Sequence, residues 1–418
     1  MADSSWFSAA RLGLFVHWGP YSALGWEASW PLVGGVATLP RAHAVPAQNY
    51  FSRLGAWQPD PSAPEDWARA ASAAGMGYAV LTTKHHDGYA LWASRHVSHG
   101  IADHHPGLDL VERFTTACRN HGLGVGLYLS LPDWHHPDYP AFTDADRPYV
   151  FGAYPMPSPD AWSRYLSDLR GQLRELLTHY GKIDYLWFDG GWEREPGQWG
   201  SEDLEGFIRQ LQPEILINDR LPGVGDVRTP EQFVPPETPG DLWETCLTLN
   251  DSWAFDPDDA GYKTPAELVH TLCETAGRGG NLLLNIGPDG AGRIPQAERA
   301  RLADLGGWME ANGEAIAGTA PGLEPCQFYG PSTRRGNTVY CALLMRPEEP
   351  VAIRGVPVTR FRRATELASR RPLEVTIRRP VLDELLGTDG PGELRVAVPE
   401  DCHQRHATII KLEFEGLP

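Results

Sequence analysis

From residue 12 to about residue 318, short runs of nearly unbroken apolar character alternate with longer stretches whose apolar residues recur every three or four positions. The short runs are Leu12–Trp18, Tyr78–Thr83, Val125–Leu131, Ile183–Phe188, Ile215–Ile217, Leu242–Leu249 and Asn281–Ile286. Runs that are apolar on both faces predict strands of a parallel sheet covered on both sides. The longer stretches predict helices. Trp162, Tyr165, Leu166, Leu169, Leu173, Leu176 and Leu177 form one stripe, in a segment that starts at Ser158-Pro159 and stops at Gly181. Thr264-Pro265-Ala266-Glu267 is a capping box that opens another helix, running to about Gly277. Further helices are expected near Glu65–Ala74, Leu110–His121 and Pro295–Asn312.

Repeated strand–helix units predict an α/β fold, a TIM-like (β/α) barrel over residues 1–322. A doubly wound sheet is the rival, but no glycine-rich phosphate loop follows the first strand. Residues 19–63, rich in proline, glycine and aromatics, read as a long loop after that strand. Beyond Gly322 the period changes. Thr338–Leu344, Leu373–Ile377, Leu394–Val398 and Ala407–Phe414 read as short strands with no helix period between them. An antiparallel β-sandwich is expected over residues 323–418.

Composition narrows the partners. A net charge of −18 disfavours nucleic acid and anionic membranes and suits a neutral small-molecule substrate such as a sugar. No apolar run is long enough to span a bilayer. The N-terminus lacks the pattern of a secretion signal, so a cytoplasmic location is expected. The six cysteines are scattered without a CxxC pair and read as reduced core residues. The oligomeric state stays open.

On a barrel, chemistry gathers where strands end. Polar and aromatic residues recur at that end: His17-Trp18, Lys84-His85-His86-Asp87, Tyr128 and Asp133-Trp134, Trp187-Phe188-Asp189-Gly190-Gly191-Trp192, and Asn218-Asp219-Arg220. Asp189 stands out, with two glycines that would leave room for a ligand; a turn-capping aspartate is the plain alternative. His85-His86 match no zinc spacing, and neighbouring strand residues point to opposite faces, so hydrogen bonding to a polyol is favoured over a metal. If Asp189 is a nucleophile it needs an acid partner, and Asp133, Glu193, Asp219, Glu231 and Glu244 are all candidates by spacing.

The blocks Leu14-Phe15-Val16-His17-Trp18-Gly19, Thr83-Lys84-His85-His86-Asp87-Gly88, Gly126-Leu127-Tyr128, Trp187-Phe188-Asp189-Gly190 and Gly279-Gly280-Asn281-Leu282-Leu283-Leu284-Asn285-Ile286-Gly287-Pro288 resemble, in order, the α-L-fucosidases of glycoside hydrolase family 29. The resemblance implies a retaining exo-glycosidase that removes terminal α-L-fucose from fucosylated glycans without metal or organic cofactor. It places the nucleophile at Asp189 and the acid/base at Glu231, in Thr229-Pro230-Glu231. It places sugar-binding groups at His17, Trp30, His85, His86, Tyr128, Trp187, Arg220 and Trp253. There is one departure: relatives carry a sugar-binding Glu-Trp pair where this chain reads Ser29-Trp30, so either Glu27 takes that role or hydroxyl recognition differs. An α-L-galactosidase, a silent sugar-binding protein and a metal-dependent hydrolase on His85-His86 are the competing readings.

Overall fold

The computed structural model describes residues 4–34, 44–139, 155–388 and 390–417. Seven apolar segments pair side by side, all parallel: β1 (Leu12–Val16), β2 (Tyr78–Lys84), β3 (Gly124–Ser130), β4 (Tyr185–Asp189), β5 (Leu216–Ile217), β6 (Glu244–Thr248) and β7 (Asn281–Ile286). Their order is β5-β4-β3-β2-β1-β7-β6. Nearly every strand residue is buried, because helices cover one face and the curled sheet encloses the other. Residues 227–232 lie between the two edges. Val227 pairs with Asn218 just past β5, and Arg228 and Glu231 pair with Trp243 and Cys246 along β6.

The helices form where their caps and stripes predict. Thr264 accepts from the Glu267 amide at 3.1 Å, and Leu268, Val269, Leu272, Cys273 and Ala276 of Pro265–Gly277 turn inward. Pro159–His179 buries Tyr165, Leu169, Leu173, Leu176 and Leu177. Two expectations about the parallel-sheet region need correction. The stretch after β1 is not loop throughout: Pro20–Leu24 and Trp30–Val33 are 3-10 turns and Ala47–Leu54 is a helix, while residues 35–43 lie outside the described residues. A further helix, Ser201–Leu211, buries Leu204, Phe207 and Ile208.

The remaining strands are antiparallel. β8 (Ala320–Pro321), β9 (Ser332–Arg335), β10 (Thr338–Leu343), β12 (Phe361–Glu366) and β15 (Thr408–Phe414) make one sheet. β11 (Val351–Val356), β13 (Glu374–Arg378) and β14 (Gly392–Ala397) make another. Phe328, Val339, Cys341, Ile353, Leu394, Val396, Ile410 and Leu412 form an apolar cluster there. A short helix, Val381–Leu386, interrupts this part, where no helix was expected; none of its residues is buried. The Trp308 indole N–H donates to the Ala407 carbonyl at 3.0 Å, tying helix Gln296–Asn312 to the chain entering β15. The cysteines form no disulfide, and five of the six are buried; Cys326 is exposed. No described helix is long and apolar enough to cross a membrane.

Candidate active site

A cavity of about 650 Å³ opens beyond the C-terminal ends of the parallel strands, lined by Phe15, His17, Trp30, His85, Tyr128, Trp187, Asp189, Arg220, Glu231 and Trp253, among others. Nine of the ten residues expected at a sugar site therefore meet in one pocket. The tenth, His86, is wholly buried directly behind it, with Nε2 3.6 Å from Asp189 Oδ2.

Asp189 ends β4. Asn218 holds that strand end by accepting from the Phe188 amide at 2.8 Å and donating to the Phe188 carbonyl at 2.9 Å. The two glycines that follow serve the protein, not a ligand: a Cβ on Gly190, at φ +75°, would stand 2.3 Å from Pro132, and one on Gly191 would stand 2.2 Å from the Arg220 carbonyl. The Asp189 carboxylate accepts from the Tyr128 hydroxyl at 3.0 Å and from Arg220 Nη1 at 2.9 Å.

Arg220 also donates from Nη2 to Glu231 at 2.6 Å, so one planar guanidinium spans both carboxylates. It lies 4.6 Å over the Trp187 ring. Burial opposes its charge, but Glu231 and Asp189 outweigh burial and hold it firmly protonated. Glu231 is placed by local pairing. Asp219 accepts from the Thr229 hydroxyl at 2.6 Å, and the Cys246 amide donates to the Pro230 carbonyl at 3.1 Å. Glu231 thus sits in the strip between β5 and β6, not on a free loop.

The other four acids have different surroundings. Asp133 accepts from the His135 and His136 amides at 3.1 and 2.9 Å and lies 3.7 Å from the buried Lys84. Glu193 accepts from Trp134 and Tyr139, and Asp219 from Thr229. Glu244 is enclosed by Tyr78, Tyr185 and the Trp187 indole. Burial pushes its carboxyl up to about 7 despite these donors. None of the four lines the cavity.

Each histidine is oriented through Nδ1: His17 by Asn285 at 2.6 Å, His86 by Ser130 at 2.6 Å and His85 by Ser29. β2 has ended at Lys84, so both adjacent imidazoles come to the same side. Burial pushes His17 down to about 4 and His86 to about 3, and holds His85 well below the usual imidazole range. All three are neutral near pH 7. The Asn285 amide nitrogen donates to the Trp253 carbonyl at 2.7 Å, which leaves its oxygen facing His17; Nδ1 is then the donor and Nε2 an acceptor. The Ser130 hydroxyl donates to the Pro132 carbonyl at 2.7 Å, and His86 Nε2 is an acceptor by the same logic. That nitrogen has no hydrogen-bond partner among the described residues. The His17 acceptor, on the cavity wall, suits a substrate hydroxyl.

Ser29 and Glu27 have other tasks than the one relatives give a glutamate here. Ser29 supports His85, and Glu27 accepts from the Trp253 and Ala254 amides at 2.7 and 3.3 Å. Neither lines the cavity.

Sequence spacing gave no third ligand for a metal, but folding supplies one: ligand atoms of His85, His86 and Asp189 lie within 4.8 Å of one another. A cation there would compete with the Arg220 guanidinium for the same carboxylate. The cavity also takes in Trp192, from the aromatic cluster at the end of β4, and lining that the sequence did not flag: Phe15, Gln232, Thr248, Asn250, Asp251 and Lys263. Phe15 alternates with Val16 into the sheet interior and could have been found from strand periodicity; Thr248 ends β6, and Gln232, Asn250, Asp251 and Lys263 sit on loops.

Two carboxylates facing one cavity, joined by an arginine and backed by neutral imidazoles and indoles, are the groups that a glycoside hydrolase site calls for. A model of the α-L-fucosidase family matches residues 2–314. Tissue α-L-fucosidase of Macaca fascicularis is 32% identical over 380 residues, covering 85% of this chain and 78% of that protein. The solved α-L-fucosidase isoenzyme 1 from Paenibacillus thiaminolyticus superposes with a TM-score of 0.83 at 35% identity, covering 99% of both chains. A family 29 α-L-fucosidase from Bacteroides thetaiotaomicron, trapped as a covalent intermediate in complex with 2-fluoro-fucosyl fluoride, gives a TM-score of 0.82 at 26% identity, covering 99% of this chain and 96% of that one. The chain belongs to the α-L-fucosidase family, glycoside hydrolase family 29.

Proposed function

We propose that this chain releases terminal α-L-fucose from fucosylated oligosaccharides or glycoconjugates by double displacement, with Asp189 as nucleophile and Glu231 as acid/base. Asp189 attacks the anomeric carbon while Glu231 protonates the departing glycosidic oxygen. A fucosyl–Asp189 ester and a free aglycone alcohol result. Glu231, now ionised, takes a proton from water, whose oxygen displaces Asp189 and regenerates both groups with retention at the anomeric carbon. The observation that carries this reading is the Arg220 fork, which puts the two carboxylates on one guanidinium at the cavity. Carboxyls about 5–5.5 Å apart are the spacing that retention requires. His17, His85 and Tyr128 would meet the sugar hydroxyls with His86 packed behind them, and Trp187, Trp253 and Trp30 would cover its apolar face and methyl group. No metal or organic cofactor enters any step.

We read the parallel sheet, with residues 227–232 taking the place of an eighth strand, as a (β/α) barrel over residues 1–322, followed by a β-sandwich over 323–418. Following the product anomer by NMR during hydrolysis of an aryl α-L-fucoside tests the reaction. The α anomer should appear first; first formation of the β anomer would end the double-displacement reading. Running aryl α-L-galactoside alongside tests the specificity left open by Ser29.

A further inference from the structure

The cavity is larger than its proposed sugar. Even at the roughly 30 Å³ that liquid water takes per heavy atom, the ten heavy atoms of a fucosyl group fill only about 300 Å³, against a cavity of about 650 Å³. Phe15, His17, His85, Tyr128 and Trp187 are buried in its wall, while Trp192, Gln232 and Asp251 of the same lining are exposed and mark the side that opens to solvent.

Trp192 stands in that outer part. It is 40% exposed, and of the large apolar side chains exposed among the described residues it is the one that lines this cavity. An indole partly exposed on the wall of a polar pocket presents apolar surface to whatever enters that pocket. Its mounting is rigid. It belongs to the 3-10 turn Gly191–Glu193, three residues past Asp189, and the next side chain, Glu193, is buried between Trp134 and Tyr139. Its ring stands edge-on to His86, centroids 6.2 Å apart.

Gln232, next to Glu231, is also part of the lining. Its backbone is held at φ +63°, its amide N–H donates to the Cys246 carbonyl at 2.9 Å, and its side-chain nitrogen donates to Thr248 at 3.1 Å. A fixed aromatic face together with a fixed amide is the make-up of a saccharide site. A compact alcohol would use neither.

We propose that Trp192 is the stacking platform of a subsite for the leaving-group sugar, so that the enzyme takes fucosyl oligosaccharides whose penultimate residue is a pyranose in preference to small aglycones. The proposal rests on the assignment of Asp189 and Glu231 above. The test compares W192A and W192F with the parent enzyme on two substrates. One is α-L-fucosyl fluoride, whose leaving group fills no subsite. The other is whichever of the α1,2-, α1,3-, α1,4- and α1,6-linked fucosyl disaccharides the parent cleaves fastest. In W192A, kcat/KM on the disaccharide should fall about tenfold further than on the fluoride, mainly through KM, as expected for losing one apolar contact face. W192F, which keeps a ring, should recover most of that difference. Equal losses on both substrates, or no extra loss on the disaccharide, would overturn the proposal. If the parent enzyme fails to hydrolyse the fluoride at all, the reading of Asp189 and Glu231 falls instead, a result distinct from any difference between variants.

Discussion

At the mouth of the parallel sheet, Lys84, His86 and Asp133 are wholly enclosed and Asp189 is 8% exposed. In the antiparallel part of the chain the pairs Arg346–Glu400, Arg363–Glu413 and Arg371–Asp401 are exposed to solvent on one or both sides. Composition alone does not separate the two regions, since both are rich in acids and bases. They differ in what surrounds each charge. A buried ion needs fixed partners because water cannot replace them, and removing one partner costs about 3–5 kcal/mol in well-studied cases. An exposed pair gives up hydration for a partner of similar worth and gains little. Fixed charge geometry therefore belongs to the first region and solvent-screened pairs to the second, and variants in each should behave accordingly.

The sharpest contrast comes from Asp189→Gly. Removing the attacking carboxylate should lower turnover of an aryl fucoside by about 10⁴-fold or more. Azide should restore part of it by entering the vacated space, giving fucosyl azide detectable by mass spectrometry. Near-normal turnover in this variant would remove Asp189 from the chemistry.

Glu231→Gln should cost less and depend on the leaving group. Turnover of a glycan, whose departing oxygen needs a proton, should drop by about 10²–10⁴-fold. Fucosyl fluoride, with a leaving group that departs readily, should be slowed far less in its first step. A uniform loss across both substrates would mean that Glu231 acts through Arg220 alone, and the acid would have to be sought elsewhere.

These two residues also show how far the sequence could be read. β7 is legible residue for residue because Asn281–Ile286 is apolar on both faces and bounded by glycine and proline. β12, Phe361–Glu366, escapes because two consecutive arginines face solvent and hide its strand period. Helix Ser201–Leu211 carries Leu204, Phe207, Ile208 and Leu211 at helical spacing, but it starts from a left-handed glycine without a side-chain cap, so the usual start signal is missing. In the site, Asp189 is visible locally at the end of an apolar run. Its partner is not, because spacing leaves five acids level until pairing along β6 brings one of them to the cavity; the family resemblance chose the same one, Glu231. The groups that orient the imidazoles are further out of reach: Ser130, Ser29 and Asn285 stand 44, 56 and 268 residues from the histidines they hold.

Glu27 tests the buried region through stability. Burial pushes its carboxyl from an ordinary 4.5 up to about 8, and Glu298 likewise to about 8. Between these values the folded protein holds a proton that the unfolded chain has released. The resulting stability is fully present below about pH 4.5 and is lost as pH rises through 8. Glu27→Gln removes one such group while keeping an oxygen for the Trp253 amide. Its thermal midpoint should fall less between pH 5 and pH 8 than that of the parent. Parallel curves would show that Glu27 shares its proton affinity with the unfolded state, and the contrast between regions would weaken.

The smallest effect is expected at Glu413→Gln. Arg363 and Glu413 meet across β12 and β15 with side chains 67% and 25% exposed. The acid is held below its ordinary range mainly by the Arg363 hydrogen bond. That depression could stabilise the folded state only above the ordinary carboxylate range, being lost as pH falls through the depressed value. At this exposure, solvent and salt screen most of it. The variant should match the parent in thermal midpoint at pH 7, in kcat/KM and in the response of both to 0.5 M salt, since Lys411 and Glu314 nearby still pair with each other at 2.6 Å. A clear drop in midpoint that salt abolishes would show that the outer pairs act as a connected network. The antiparallel sheets would then stabilise the molecule by the route that the parallel sheet reserves for its site.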